Sequence, residues 1–146
     1  MKQAHHVIVA LLSVAGCSAL EPDVGPLMQE LCVNEDSDPS TDISFSRDIL
    51  GTLFTQNGGG CLTCHVPGEV GEQSSGLDLS TYETALTGGR SGDDNIIAGS
   101  PCESILWQKV SPAPPFGARM PLSRPPLTDS QITMLRDWIA EGALKN

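Results

Sequence analysis

Aromatic side chains are scarce in this chain. Six occur in 146 residues: Phe45, Phe54, Tyr82, Trp107, Phe116 and Trp138. A domain with so few large side chains builds a thin core of its own. Basic residues are also few, eight against 18 acidic, for a net charge of −10. That excludes nucleic acid as a partner, because its binding needs a basic patch. No apolar run is long enough to cross a bilayer as a helix. Strand-like alternation and internal repeats are missing too, which leaves an all-α reading. Histidine is limited to His5, His6 and His65.

One motif stands out. Residues 61–65 read Cys61-Leu62-Thr63-Cys64-His65, the spacing of c-type haem attachment. Two thiols three positions apart can each add to one vinyl group of a haem. The histidine that follows can then place its imidazole on the iron. Two rival readings share the Cys-x-x-Cys core. A zinc site needs four ligands, usually with a second Cys/His pair, and no second pair follows. A thioredoxin-like dithiol sits between a strand and a helix. Here the preceding Asn57-Gly58-Gly59-Gly60 is a loop with no strand before it.

The chain opens with Lys2, an apolar run from Val7 to Val14, and then Ala15-Gly16-Cys17. This is the plan of a secretory signal, and its end resembles a bacterial lipobox. It predicts cleavage before Cys17 and lipidation of Cys17, with an ordinary signal peptide as the alternative. Ser18 rather than Asp favours the outer membrane, by analogy with enteric lipoproteins. The expected location is the bacterial cell envelope, facing the periplasm or the cell surface. Export and haem attachment agree, since in bacteria c-type haem is attached outside the cytoplasm. Several acyl chains anchor a protein where a single one binds only marginally.

Removing residues 1–16 takes Lys2 away and leaves 130 residues with seven basic and 18 acidic side chains, a net of −11. That is one domain plus a tether. The charge would steer the protein toward a basic-faced redox partner, or it serves only solubility. Cys32 and Cys102 remain once lipid and haem have taken the other three cysteines. An oxidising compartment favours pairing them; two buried free thiols are the alternative.

Residues 17–42 are rich in Pro, Gly and acidic residues and read as a tether, with a short helical turn at Leu27–Leu31. The globular part is expected over 43–146. A first helix runs from Ile43 to Phe54, with Phe45, Ile49 and Leu53 at helical spacing. Ser80-Thr81-Tyr82-Glu83 is a capping-box pattern opening a short helix to about Leu86. Ser100-Pro101-Cys102-Glu103 is a second, with its helix continuing to about Val110. A proline-rich loop spans Ser111 to Pro126. Thr128-Asp129-Ser130-Gln131 opens the last helix, whose stripe is Ile132, Leu135, Trp138 and Ile139. Gly142 stands where a C-terminal glycine cap belongs.

A low-spin electron carrier usually holds a second strong iron ligand, often methionine, which raises the potential. Met28 lies in the tether, and Met134 sits beside the stripe of the last helix. Met120 lies in the irregular Ala118-Arg119-Met120-Pro121-Leu122 segment, 55 residues after His65. A loop can present a thioether without competing with helix packing, so Met120 is the candidate; a loop methionine filling an apolar gap is the alternative. Arg90, Arg119 and Arg124 are candidate partners for haem propionates, or they are simply solvated.

From Ile43 to about Ala143 the chain resembles a cytochrome c domain. It is particularly similar to the planctomycete type. The motifs that carry this are Cys61–His65, Leu77-Asp78-Leu79, Gly88-Gly89, Gly99-Ser100-Pro101, Met120-Pro121 and Trp138-Ile139-Ala140-Glu141-Gly142-Ala143. Leu122 departs from the pattern, which commonly has a second proline there. The resemblance implies a small monohaem all-α domain with long loops and one covalent haem c. It assigns Cys61 and Cys64 as thioether sites, with His65 and Met120 on the iron. The expected function is single-electron transfer by a lipid-anchored carrier, which is not an enzyme and has no small-molecule substrate. A peroxidase-like haem enzyme subunit and a non-redox surface lipoprotein are the competing readings.

Overall fold

The computed structural model describes residues 32–55, 60–92 and 94–146. Cys17, Met28, the helical turn at Leu27–Leu31 and the Asn57–Gly59 stop signal lie outside the described residues. Five helices occur among the described residues: α1 (Phe45–Phe54), α2 (Val70–Ser75), α3 (Tyr82–Thr87), α4 (Ile105–Val110) and α5 (Asp129–Ala140). Two short 3-10 turns, Cys61–Thr63 and Pro101–Glu103, precede α2 and α4. The described residues form no strand, only one isolated bridge between Gly89 and Gly92. The fold is all-α with long loops. No helix among the described residues is long and apolar enough to cross a membrane.

α1 starts at Ser44, whose hydroxyl accepts the Arg47 N–H (3.3 Å), while the Asp48 carboxylate accepts the Ser44 N–H (2.9 Å). Its winding is wider than an α-helix, of the i→i+5 type, which the apolar spacing did not distinguish. It buries Phe45, Ile49, Leu53 and Phe54. α5 follows the sequence reading closely. Thr128 and Gln131 form the reciprocal capping box. Leu135, Trp138 and Ile139 are buried, and Ile132 is half-buried. Gly142 takes φ 101°, and the Ala143 N–H returns to the Trp138 carbonyl at 2.9 Å, closing the helix end.

The core gathers around Trp138. The Phe45 ring lies 5.5 Å from Trp138, 5.2 Å from Tyr82 and 6.5 Å from Phe54, so four of the six aromatics form one cluster. The tail after α5 closes over it. The Trp138 indole N–H donates to the Leu144 carbonyl (3.1 Å), and Asn146 accepts the Phe45 N–H through Oδ1 (2.7 Å).

Two boundaries differ from the sequence reading. The α3 capping box pairs Thr81 with Thr84 rather than Ser80 with Glu83, because Asp78 already holds the Ser80 N–H (2.8 Å). The helix expected from Ser100 to Val110 is broken at Ser104. Its hydroxyl accepts the Ile97 N–H (2.8 Å) and donates to the Ser100 carbonyl (2.9 Å). Ser100 makes no side-chain cap bond, and only a 3-10 turn forms before the break. α2 was not expected at all.

Residues 32–42 run along the domain. Cys32 and Cys102 form a disulfide. Asn34 accepts the Cys102 N–H (3.0 Å), and Ser37 donates to the buried Asp137 carboxylate through its N–H (3.2 Å) and its hydroxyl. The folded part therefore already includes Cys32, and the boundary drawn at Ile43 from composition falls inside it.

This seam carries a carboxylate under strain from its neighbours. Glu141 accepts the Ile43 N–H through one oxygen (2.9 Å), while its other oxygen is buried with no partner. Burial raises its pKa above the usual value, and the nearby Asp36, Asp42 and Asp137 charges push the same way. An acid whose folded pKa lies above its unfolded one weakens the fold once pH rises past both. Glu141→Gln is therefore expected to stabilise the protein at pH 7, by on the order of 0.5 kcal/mol for so partly exposed a group. The gain should fade as pH falls through the unfolded glutamate pKa of about 4.3. Urea melts of both proteins at pH 7 and pH 4 check this.

Candidate metal centre

The site is built from the 61–65 motif outward. The Cys61–Thr63 turn closes with the Cys64 and His65 N–H groups both donating to the Cys61 carbonyl, at 3.2 and 2.9 Å. That tight turn turns both thiols and the imidazole toward one cavity of about 290 Å³, which all three line. Both cysteines are free thiols. Burial pushes the Cys61 thiol up to about 11, so it is neutral at pH 7. A neutral thiol is not the low-pKa nucleophile of a thioredoxin-like pair. No cluster of three or more metal-binding side chains occurs among the described residues.

α2 seats the motif from behind. The Glu72 N–H donates to the Cys64 carbonyl (2.9 Å), and a Cβ on Gly71 would stand 2.6 Å from that same carbonyl oxygen. Only glycine lets the helix approach so closely. The polar sequence of α2 hides it from periodicity. Its visible signals were the Pro67-Gly68 turn before it and Gly76, which ends it at φ 70°. Gly88-Gly89 has a similar cause. A Cβ on Gly89 would collide with the Ser75 carbonyl, while the Arg90 N–H reaches that carbonyl at 2.7 Å.

Leu77-Asp78-Leu79 fixes the histidine twice. The Leu79 N–H donates to the His65 carbonyl (2.8 Å), and His65 Nδ1 lies 3.3 Å from the Leu77 carbonyl. A carbonyl oxygen can only accept, so this contact calls for the proton on Nδ1, the tautomer of the neutral ring that leaves a lone pair on Nε2. This is how a metal-ligating imidazole is usually oriented.

The remaining walls are mostly apolar, with Ser74, Ser75, Ser91 and Asn95 among them. Leu77, Leu79, Leu106 and Val110 line the cavity, and so do Met120 and Pro121. Val70, Phe116 and Leu122 also line it and are exposed large hydrophobics. Lys109 and Arg124 are in the lining, and among the described residues no carboxylate is. In a chain this acidic, that composition suits an apolar group bearing acidic substituents. The residues present thus fit a haem: two thiols, an oriented imidazole, a thioether, apolar walls and cations.

The three arginines singled out in the sequence have different places. Arg124 is in the cavity wall. Arg119 Nε donates to the Val110 carbonyl (2.9 Å), and Arg90 Nη1 donates to the Gln73 and Ser74 carbonyls (2.8 and 2.6 Å) at the end of α2. Met134 is half-buried against the core and is not in the cavity lining.

Sequence reasoning missed Lys109. Its Nζ donates to the Phe116 and Ala118 carbonyls (2.7 and 2.6 Å) and stands 4.9 Å above the Phe116 ring. Burial lowers its pKa. Its position in the last turn of α4, where a cation suits the helix end, was the one visible signal.

An all-α frame that turns a Cys-x-x-Cys-His motif into an apolar cavity defines a c-type haem-binding domain. Residues 61–121 match the family model described as planctomycete cytochrome C. The match runs from the haem motif to Met120-Pro121, so this stretch carries a planctomycete-type cytochrome c domain. The Trp-Ile-Ala-Glu-Gly-Ala end of α5 lies outside it. No curated protein and no solved structure matches the chain. A cytochrome c domain implies covalent haem and electron transfer.

Proposed function

We propose that this protein is a lipid-anchored monohaem c-type cytochrome that passes single electrons in the bacterial cell envelope. The observation that carries the reading is the shared cavity of Cys61, Cys64, His65 and Met120. Cys61 and Cys64 would hold one haem c through thioethers, with His65 Nε2 and the Met120 sulfur on the iron. The haem supplies the reversible one-electron couple; the chain orients it and keeps water from it. Leu77 holds the imidazole tautomer through its carbonyl, and the aliphatic walls lower the local dielectric. Arg124, in the cavity wall, would be the candidate partner for a propionate.

The anchor rests on Cys17 and the lipobox-like sequence before it. The proposed partners are a redox protein, basic-faced to suit the acidic chain, and the membrane surface through the acyl chains. A peroxidase-like subunit would need an open iron position, and a thioether from Met120 would fill it.

Met120→Ala tests the ligand assignment. It is expected to abolish the weak sulfur-to-iron charge-transfer band of the ferric protein and give a high-spin spectrum. The potential should fall by an appreciable part of the roughly 0.8 V that axial ligation spans across haem proteins. An unchanged band and potential would remove Met120 from the iron. Failure of the wild type to cycle reversibly on an electrode would favour a non-redox role.

A further inference from the structure

The loop that carries Met120 has an unusual problem. Between Ser111 and Pro126 it contains Pro112, Pro114, Pro115, Pro121, Pro125 and Pro126. Each proline removes a backbone donor, so six of the loop's sixteen residues offer no N–H with which to knit it. Its shape must be imposed from outside.

Lys109 does this from both sides. Its ammonium reaches the carbonyls of Phe116 and Ala118, 2.7 and 2.6 Å away. The loop bends around it at Gly117, φ 59°, where an added Cβ would lie 3.2 Å from Nζ. The Phe116 ring covers the ammonium at 4.9 Å. At its other end, the Lys109 backbone carbonyl accepts the Met120 N–H at 2.7 Å. One residue of α4 thus grips the approach to Met120 through its side chain and Met120 itself through its main chain. An ammonium offers three donors on a flexible stem, which suits two carbonyls two residues apart.

We infer that Lys109 is the positioning residue that sets how firmly the Met120 thioether is held at the haem iron. The inference rests on the reading of Met120 as axial ligand. Lys109 itself touches no iron; it acts through the 116–120 loop.

The test uses full-length holoprotein from a haem-maturing host, with Lys109→Met, Lys109→Arg and Met120→Ala. The readouts are the ferric charge-transfer band, the affinity of the ferric iron for added imidazole and the potential, with intact mass confirming haem attachment. Lys109→Met keeps the length and loses the donors. It is expected to weaken the band, lower the potential and bind imidazole about tenfold more tightly, equivalent to about 1.4 kcal/mol. Lys109→Arg, which keeps a cation with donors, should recover most of the loss. Wild-type band, potential and imidazole affinity in Lys109→Met, alongside clear changes in Met120→Ala, would overturn the inference while leaving the ligand assignment intact. No change in Met120→Ala would overturn the ligand assignment itself. If Lys109→Met does not retain haem, Lys109→Leu, which also loses the donors, is read by the same criteria.

Discussion

Protein carrying Cys61→Ala and Cys64→Ala is expected to leave a haem-maturing host colourless, without the mass of a haem and poorly folded. The two thiols are unbridged and line the same cavity as His65. Without them no thioether can form, and His65 alone would have to retain the cofactor. The cavity walls are largely aliphatic, so an empty site leaves Leu77, Leu79, Leu106 and Val110 without the apolar mass they pack against. A non-covalent group that binds only the native state at a thousand times its dissociation constant stabilises it by about 4 kcal/mol; a tethered haem stays on the unfolded chain and stabilises the fold through the packing and iron ligation made only in the native state. Loss of that term is severe where whole domains have about 5–15 kcal/mol. Intact mass, visible absorption and a urea melt measure all three consequences. A red double variant of holoprotein mass would refute the attachment sites.

Trp138→Ala should be the most damaging change away from the cavity, costing about 3–5 kcal/mol. The indole is fully buried, lies 5.5 Å from Phe45, and donates to the Leu144 carbonyl. Truncation opens a large void in the aromatic cluster and leaves that carbonyl without its donor. The tail beyond it also loses its hold, and the tail is what Asn146 uses to cap α1 at Phe45. The expected result in urea is a lower midpoint with an unchanged slope. A midpoint close to wild type would mean the core is not centred on Trp138.

How much of this was legible depended on how local each signal is. The haem motif is five contiguous residues, so its chemistry could be read directly. α5 was legible because its start, stripe and stop are written within fifteen residues, from Thr128 to Gly142. α2 was not, because Val70-Gly71-Glu72-Gln73-Ser74-Ser75 has no apolar face; it exists to bring Gly71 against the Cys64 carbonyl. The break at Ser104 depends on the Ile97 N–H, and the shift of the α3 cap to Thr81 depends on Asp78. Both are competitions between polar groups that a pattern cannot weigh. Cys32 and Cys102, 70 positions apart, could be paired by elimination but not by geometry until the chain was folded. Lys109 was least visible of all, since its partners are carbonyls that any sequence would supply.

The most direct test is intact mass with a visible spectrum and thiol alkylation on the wild-type protein from a haem-maturing host. The account predicts a coloured protein heavier by one haem, in which neither Cys61 nor Cys64 can be alkylated after denaturation. A colourless product of bare polypeptide mass with both thiols alkylated would contradict it.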